Sequence, residues 1–152
     1  MIPKEFFVTA GKAISSVSKL NAFDQALKKA AIAQCNLVQV SSILPPGCQE
    51  VELRELPAGS VIHTVMARTD GSEGERIGGG VAWTWEKRGK YGLVAEAHGQ
   101  TSRRSLEATL EWKIREMARA REVEVSEINY CAESLTVPLE NYGCVVAALV
   151  YL

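Results

Sequence analysis

Apolar side chains follow a helical period in two stretches of this chain. The first stretch predicts a helix over residues 22–33, with Asn21 as the N-cap and Asp24 at the third helical position. The second predicts a helix over about 103–121, capped by one of the hydroxyl residues before it. Its apolar stripe lies opposite a face rich in Arg and Glu, so we expect the stripe to face the core. The stripe consists of Leu106, Leu110, Ile114 and Met117.

The other apolar segments are short, and they alternate or run continuously as β-strands do. Between two of them, residues 69–74 are rich in Gly and acidic residues and predict a turn or mobile loop. The order β-α-β…β-β-α-β-β predicts an α+β sandwich in which two main helices pack on largely antiparallel sheet. The predicted strands cover residues 6–9, 36–43, 60–67, 80–86, 92–98, 125–132 and 144–151.

Length and charge restrict the classes of function. No repeat, low-complexity tract or linker divides the 152 residues, so 1–152 are expected to form a single domain. With 17 basic and 18 acidic residues the formal net charge is -1, which argues against nucleic acid or a membrane surface as a partner. The N-terminal residues lack an apolar stretch of signal-peptide length, and the longest apolar run, 144–152, is too short to span a bilayer. A cytoplasmic location is therefore expected.

Cysteines and histidines show no metal-binding spacing. The absence of a CxxC pair favours small buried thiols in a reducing compartment over metal ligands. His63 and His98 lie far apart in sequence, and no local signature supports a Cys–His nucleophile. The glycines at 78–80 lack the Lys and helix of a phosphate loop and favour a close backbone approach or a bulge instead. The cysteines are Cys35, Cys48, Cys131 and Cys144.

A Ser-Ser pair stands between an apolar run and a double proline. In the segment 39–47 the residues before Ser41 predict a strand, and the prolines end its pairing. The Ser42 hydroxyl could attack the Ser41 carbonyl, moving the acyl group from nitrogen to oxygen. β-Elimination would then release residues 1–41, and hydrolysis of the remaining dehydroalanine would leave a pyruvoyl group. The dipeptide alone is also typical of a solvated loop, and a second pair occurs at 15–16.

Five short motifs occur in order along the chain, at 20–27, 36–46, 56–59, 92–96 and 143–148. Together they resemble the pyruvoyl-dependent arginine decarboxylase family, whose product is agmatine. The resemblance extends from about residue 5 to the C-terminus, and the segment 69–85 carries the least of it. It implies a four-layer αββα sandwich.

The resemblance also implies a self-processing enzyme. The chain would be cleaved to 1–41 and 42–152, and its cofactor would be a covalently bound pyruvoyl group derived from Ser42, with no pyridoxal phosphate and no metal. L-Arginine would bind this group as a Schiff base and leave as agmatine and carbon dioxide, a step of polyamine biosynthesis. The cleaved protomers would assemble as a homotrimer, or a hexamer, with active sites between subunits.

Glu96 is the candidate proton donor. In the predicted strand 92–98 it alternates with Val94 and His98 on one face. Apolar surroundings favour the protonated form of a carboxylic acid, which is the form that can protonate a carbanion. By strand pattern alone an ordinary solvent-facing Glu is favoured. The resemblance reverses that preference, because the catalytic acid of the family falls on this position.

Asp24 is the candidate anchor for the substrate side chain. A carboxylate accepts two hydrogen bonds from a planar guanidinium, which lysine cannot match. At the third helical position it would also stabilise the helix start. The resemblance adds Leu20 and Leu27 as a wall around the aliphatic part of the substrate, whereas by pattern alone both are core leucines. It adds Asn36 as a hydrogen-bonding support for the Ser41 carbonyl or the pyruvoyl group; a turn-forming role is the alternative.

Two alternatives to arginine decarboxylation stay open at this point. The same chemistry could act on another amino acid, which Asp24 and the pocket around it would decide. The chain could also be an unprocessed, non-enzymatic trimeric homologue with a binding or scaffold role.

Overall fold

Two β-sheets pack face to face, and one helix covers the outer surface of each sheet. The structure is a computed structural model that describes residues 1–152. Its arrangement confirms the predicted α+β four-layer αββα sandwich. Neither helix is both long enough and apolar enough to cross a membrane. The elements are β1 (Glu5–Ser15), α1 (Lys19–Lys29), β2 (Asn36–Gln39), β3 (Ile43–Leu44), β4 (Gln49–Glu50), β5 (Val61–Ser72), β6 (Arg76–Trp85), β7 (Gly92–Gly99), α2 (Arg103–Ala120), β8 (Asn129–Thr136) and β9 (Tyr142–Tyr151).

The most apolar strand, β9, lies at the centre of the five-stranded sheet, whose order is β2-β5-β9-β1-β4. It pairs antiparallel with β1 through ten residue pairs and with β5 on its other side. Every residue from Gly143 to Tyr151 is buried, as its continuous apolar pattern predicts. The four-stranded sheet has the order β3-β7-β6-β8 and is antiparallel throughout. Only β2–β5 and β1–β4 pair in parallel.

Three main apolar clusters hold the four layers together. They lie between α1 and the five-stranded sheet, between the two sheets, and between the four-stranded sheet and α2. Neighbouring residues of a strand point to opposite faces, so Phe6 joins the cluster between the sheets and Phe7 the cluster under α1. The predicted apolar stripe of α2 is buried except for Met117, which is only partly buried.

Glycines let both helices lie directly on the sheets. A Cβ on Gly11 would collide with the backbone oxygen of Ala26, so α1 reaches β1 this closely only above a glycine. On the opposite surface, Cβ atoms on Gly78 and Gly80 would lie 2.6 and 3.0 Å from leucine side chains of α2. The predicted close approach at these glycines is therefore confirmed.

Helix α1 begins earlier than the predicted 22–33. Its N-cap is Ser18, whose Oγ accepts a hydrogen bond of 3.1 Å from the Asn21 N–H, so the assignment of Asn21 as N-cap is wrong. The helix stops before Ala31, which has a φ of 60°. Asp24 is consequently the sixth helical residue and lies in the second turn. A role at the helix start is excluded, because the dipole effect falls off within the first turn.

The predicted strand 36–43 is divided between the two sheets. β2 ends at Gln39 in the five-stranded sheet, and Ile43 begins β3 in the four-stranded sheet. A single strand cannot belong to both layers, so the chain passes from one sheet to the other between Gln39 and Ile43. The interruption falls on the Ser-Ser pair.

The predicted turn at 69–74 is wrong in its first part. Residues from Thr69 to Ser72 continue β5 and stay paired with β9. The Thr69 hydroxyl donates to the Gly78 carbonyl over 2.8 Å, so this segment links the two sheets. The turn itself is confined to the residues that follow, where Gly74 has a φ of 81°.

The predicted strand 125–132 begins too early. β8 starts at Asn129, and Val125 forms only an isolated bridge with Glu86. The other predicted strands are present, most of them longer than their apolar cores suggested.

Candidate active site

The chain crosses from one sheet to the other at residues 40–42. The Val40 N–H donates to the Thr64 carbonyl over 3.0 Å, which extends the β2–β5 ladder to the residue before the serine pair. The Ser42 carbonyl accepts a hydrogen bond of 2.9 Å from the Val94 N–H, so Ser42 is already attached to β7. The peptide bond between the serines therefore lies between two anchored ends. The five-stranded sheet holds the residue before Ser41, and the four-stranded sheet holds Ser42.

The residues after Ser42 fix its position further. The Tyr151 hydroxyl donates to the Ile43 carbonyl over 2.9 Å. Burial, and secondarily the nearby Cys48, raises the pKa of Tyr151 to about 12, so this donor keeps its proton across the physiological range. Pro45 cannot donate to a ladder, and β3 ends directly before it.

Ser42 and Glu96 line the same cleft, which has a volume of about 310 Å³. It lies along the edge of β7 that β3 leaves unpaired, since β3 pairs only with Gly92 and Leu93. Both side chains are partly buried. The structure thus brings together the predicted cleavage residue and the predicted proton donor, which are 54 positions apart in the sequence. The remaining lining residues are Val94, Ala95, Trp112, Lys113, Glu116 and Met117.

Lys113 supplies the cleft with an ammonium group. Its Nζ donates to the Glu96 backbone carbonyl over 2.8 Å and forms no ion pair with a carboxylate. Glu116, by contrast, is paired with Arg119 at 2.7 Å. The hydrogen bond from Arg119 lowers the pKa of the Glu116 carboxyl, so Glu116 stays ionised and is a poor proton donor.

The contribution of α2 to this cleft was not predicted from the sequence, because the apolar stripe of the helix was assigned entirely to the core. One signal was available. Trp112 falls on the polar face of the helix, and the structure leaves its side chain 63% exposed. A large aromatic residue on a polar helix face is typical of a binding surface.

A second cavity lies on the Ser41 side of the crossover. It has a volume of about 240 Å³, and Val40, Ser41, Ile43, His63 and Tyr151 contribute to its lining with two N-terminal residues. A larger cavity of about 500 Å³ adjoins it and shares four lining residues with it. The serine pair therefore separates two openings, with Ser42 facing one and Ser41 the other.

Besides Ser41, four predicted site residues lie outside the Ser42–Glu96 cleft. Asp24 and Leu20 are exposed on α1, which covers the opposite outer surface of the sandwich from α2. Leu27 is buried in the cluster under α1, so its interpretation as a core leucine is confirmed, whereas Leu20 is 71% exposed. Asn36 lies at the far end of β2 from the serines, and its Nδ2 donates to the Gly59 carbonyl over 3.1 Å.

Phe23, the residue before Asp24, packs against an ion pair of β5. The Arg68 guanidinium binds both oxygens of Asp70, at 3.1 and 2.8 Å, and lies 3.5 Å above the centre of the Phe23 ring. Such bidentate and stacked contacts are specific to arginine. They attach the second turn of α1 to β5.

The cleft can therefore support two kinds of chemistry. A serine hydroxyl beside a restrained peptide bond is suited to attack on the preceding carbonyl. A carboxylic acid in the same cleft is suited to proton transfer at a neighbouring carbon.

Comparison with known proteins points to the same chemistry. Residues 5–152 match the sequence profile of pyruvoyl-dependent arginine decarboxylase. A protein of that name from Methanopyrus kandleri is 31% identical over 150 residues, which cover 99% of this chain and 97% of the relative. Another, from Methanococcus aeolicus, is 34% identical over 153 residues, which cover 97% of this chain and 88% of the relative.

A solved structure of pyruvoyl-dependent histidine decarboxylase has a similar fold. It superposes with a TM-score of 0.51 over 64% of this chain and 52% of that chain. The sequence identity is 12%, so the likeness concerns the fold alone.

Proposed function

The chain belongs to the pyruvoyl-dependent arginine decarboxylase family, and on that premise we propose that it cleaves itself at Ser42 and decarboxylates L-arginine to agmatine and carbon dioxide. The observation that carries this proposal is the shared cleft of Ser42 and Glu96. The serine that would become the cofactor and the acid that would deliver the proton lie together there. The protein acts as a carbon-carbon lyase in this proposal.

Self-cleavage would use the restraint on the serine pair. The Ser42 hydroxyl attacks the Ser41 carbonyl and forms an ester as the peptide nitrogen leaves. Loss of the Ser42 α-proton then breaks the bond between Cβ and the ester oxygen, and the carboxylate of Ser41 departs. Water then hydrolyses the remaining dehydroalanine. Its nitrogen leaves as ammonia, and residue 42 becomes a pyruvoyl group. The hydrogen bonds from Val94 and Tyr151 lie on the residue 42 side, so this end stays in place.

The surroundings of Ser42 fit a pyruvoyl group. Once formed, it supplies a ketone that withdraws electrons from the α-carbon of a bound amino acid. Glu96, in the same cleft, is placed to protonate that carbon after carbon dioxide leaves. Lys113 holds the backbone of Glu96 and leaves two ammonium donors for the substrate.

The cleaved chains are expected to stay together as one domain. Residues 1–41 contribute β1, α1 and β2, and β1 is paired with β9 from Phe6 to Ser15. The Gly11 contact seats α1 on this sheet. Separation would expose the cluster under α1, which holds 11 buried residues.

We propose that a neighbouring copy completes the site. Asp24, Leu20 and Asn36 lie outside the cleft of their own chain, on the side of the sandwich opposite α2 or at the far end of β2. In a homotrimer of cleaved protomers the Asp24 carboxylate of one copy would bind the guanidinium of arginine in the cleft of the next. Leu20, exposed beside it, would cover the aliphatic part, and Asn36 would support the pyruvoyl group.

Intact mass under denaturing conditions tests the proposal. The wild-type protein should give a chain of 41 residues and a chain of 111 residues that starts with pyruvoyl. Ser42→Ala should give only the full-length mass, and Ser16→Ala, in the other serine pair, should be cleaved normally. Borohydride added together with arginine should attach the amine to the 111-residue chain. A wild-type protein that remains whole after prolonged incubation would exclude the enzyme and favour the scaffold alternative.

A further inference from the structure

Cleavage of this kind leaves a single new charge on the protein. β-Elimination breaks the bond between Ser42 Cβ and the ester oxygen, so both oxygens leave with Ser41 as a carboxylate. Residue 42 ends as an uncharged ketone, and its nitrogen departs as ammonia. Ordinary peptide hydrolysis would create an ammonium group as well. The cleaved protein is therefore one charge more negative than the intact chain, whose formal net charge is -1.

The new carboxylate forms at the mouth of the cavity that contains His63. Ser41 and His63 both line this cavity of about 240 Å³. Val38 and His63 are partners in the parallel β2–β5 ladder, and the hydrogen bond from Val40 to Thr64 continues that ladder to the residue before Ser41. The end of the 1–41 chain is therefore held next to the strand that carries the imidazole.

The imidazole of His63 is available to bind an anion. Val65, two residues further along β5, faces the space between the sheets, so His63 points to the same side. The ring is partly buried and makes no hydrogen bond with any other residue of the chain. A partly buried imidazole without a partner is well suited to donate to a carboxylate, and a protonated one adds the attraction of opposite charges.

We propose that His63 binds the Ser41 carboxylate that self-cleavage creates. This proposal rests on the proposed self-processing. The interaction would hold the end of the 1–41 chain in its cavity, on the opposite side of the crossover from the Ser42–Glu96 cleft. It would thereby keep a negative charge away from the substrate carboxylate.

Several charged or titratable groups share the surroundings of His63. Met1, which carries the terminal amino group, lines the same cavity and would also attract an anion, and Leu152, which carries the terminal carboxylate, lines the adjoining cavity. Tyr151, from β9, uses its hydroxyl for the Ile43 carbonyl and keeps its proton, because burial raises its pKa to about 12. Glu5, in the adjoining cavity, is paired with Arg54 at 3.1 Å. Lys4 also lines that adjoining cavity and would favour an anion there. The β2 strand beside His63 contributes no charged side chain.

NMR signals of the two histidine rings, recorded at a single pH, test the proposal. Wild-type protein and Ser42→Ala would be compared, with cleavage checked by mass. The imidazole signals of His63 should differ between the cleaved and the uncleaved protein, because a carboxylate within hydrogen-bonding distance changes the surroundings of the ring. His98 is exposed on β7 and should give the same signals in both proteins, which makes it an internal reference. Identical His63 signals in cleaved and uncleaved protein would overturn the carboxylate site.

A second measurement uses carboxypeptidase on the cleaved protein. His63→Gln removes the imidazole ring and should speed the removal of Ser41 and Val40 from the 1–41 chain, whereas His98→Gln should not. Equal rates in the two variants count against the site. A wild-type protein that never cleaves overturns the proposed function, and this site with it; cleavage with an unchanged His63 overturns the site alone.

Discussion

The backbone carbonyl of Ser42 accepts a hydrogen bond from the N–H of Val94, at 2.9 Å. Val94 is two residues before Glu96, on the same face of β7. One hydrogen bond thus sets the distance between the residue that would carry the cofactor and the residue that would donate the proton.

Glu96→Gln should leave cleavage intact and lower kcat for arginine about 10²–10⁴-fold, because an amide cannot deliver a proton. Glu116→Gln is the matched control. It lies in the same cleft, but its carboxylate is committed to Arg119. The measurement is steady-state decarboxylation by protein of verified mass. Near-normal turnover of cleaved Glu96→Gln would remove Glu96 from the reaction.

Asp24→Asn should raise KM for arginine roughly 10–100-fold while cleavage proceeds normally. Loss of a charge-assisted hydrogen bond costs about 1.5–3 kcal/mol, which corresponds to that range. Thermal stability should change little, because Asp24 lies in the second turn of α1 and neither caps the helix nor forms an ion pair. An enzyme that prefers an acidic amino acid would contradict the assignment, since Asp24 would repel it.

Gly11→Ala should destabilise the fold by about 1–3 kcal/mol, because the added methyl group collides with the backbone oxygen of Ala26 and forces α1 outward. Urea unfolding in the uncleaved Ser42→Ala background measures the change. Gly79→Ala is the control. Its Cβ would meet no atom closer than 3.6 Å, so it should unfold nearly as the parent does. Equal losses in the free energy of unfolding from both substitutions would show that α1 does not pack directly on Gly11.

Cys144 should resist alkylation in the folded protein. Burial, and secondarily the adjacent Asp70, raises the pKa of its thiol to about 12, and only the thiolate reacts. The neutral thiol is thus favoured by folding. Its contribution to the free energy of unfolding is complete below the ordinary pKa of 9.0 and is lost as the pH rises towards 12.

The test is iodoacetamide labelling near pH 8, followed by mass. Cys35 is only partly buried and should react first, whereas Cys144 should react only after unfolding. Labelling of Cys144 at the rate of Cys35 would show that the strand opens readily.

Local sequence was sufficient for most elements but not for their connections. The two helices follow from periodicity, because their packing faces repeat along the chain, and the buried strand β9 follows from its continuous apolar run. Ser18 and Asn21 are both good caps, and only the observed hydrogen bond from the Asn21 N–H to Ser18 distinguishes them. The break at residues 40–42 depends on which sheet each neighbouring strand joins, and no local pattern contains that information.

The candidate site, too, could be predicted only in part from the sequence. Ser42 and Glu96 were predicted separately, and their common cleft is a property of the tertiary structure. Lys113 escaped prediction because a lysine on a charged helix face is usually solvated. Asp24 and Leu20 were predicted as site residues, yet they lie on the other outer layer of the same chain.

The crossover at residues 40–42 has a consequence for how the protein is made. Before cleavage, β1, α1 and β2 are tethered to the rest of the five-stranded sheet, and folding is a reaction of one molecule. After the proposed cleavage the same sheet would be built from two polypeptides, so unfolding would become a dissociation and the melting temperature would depend on protein concentration. Recovery of the cleaved protein from denaturant would be second order. In this proposal the intact precursor folds as one molecule, whereas the cleaved protein would have to reassemble from two chains.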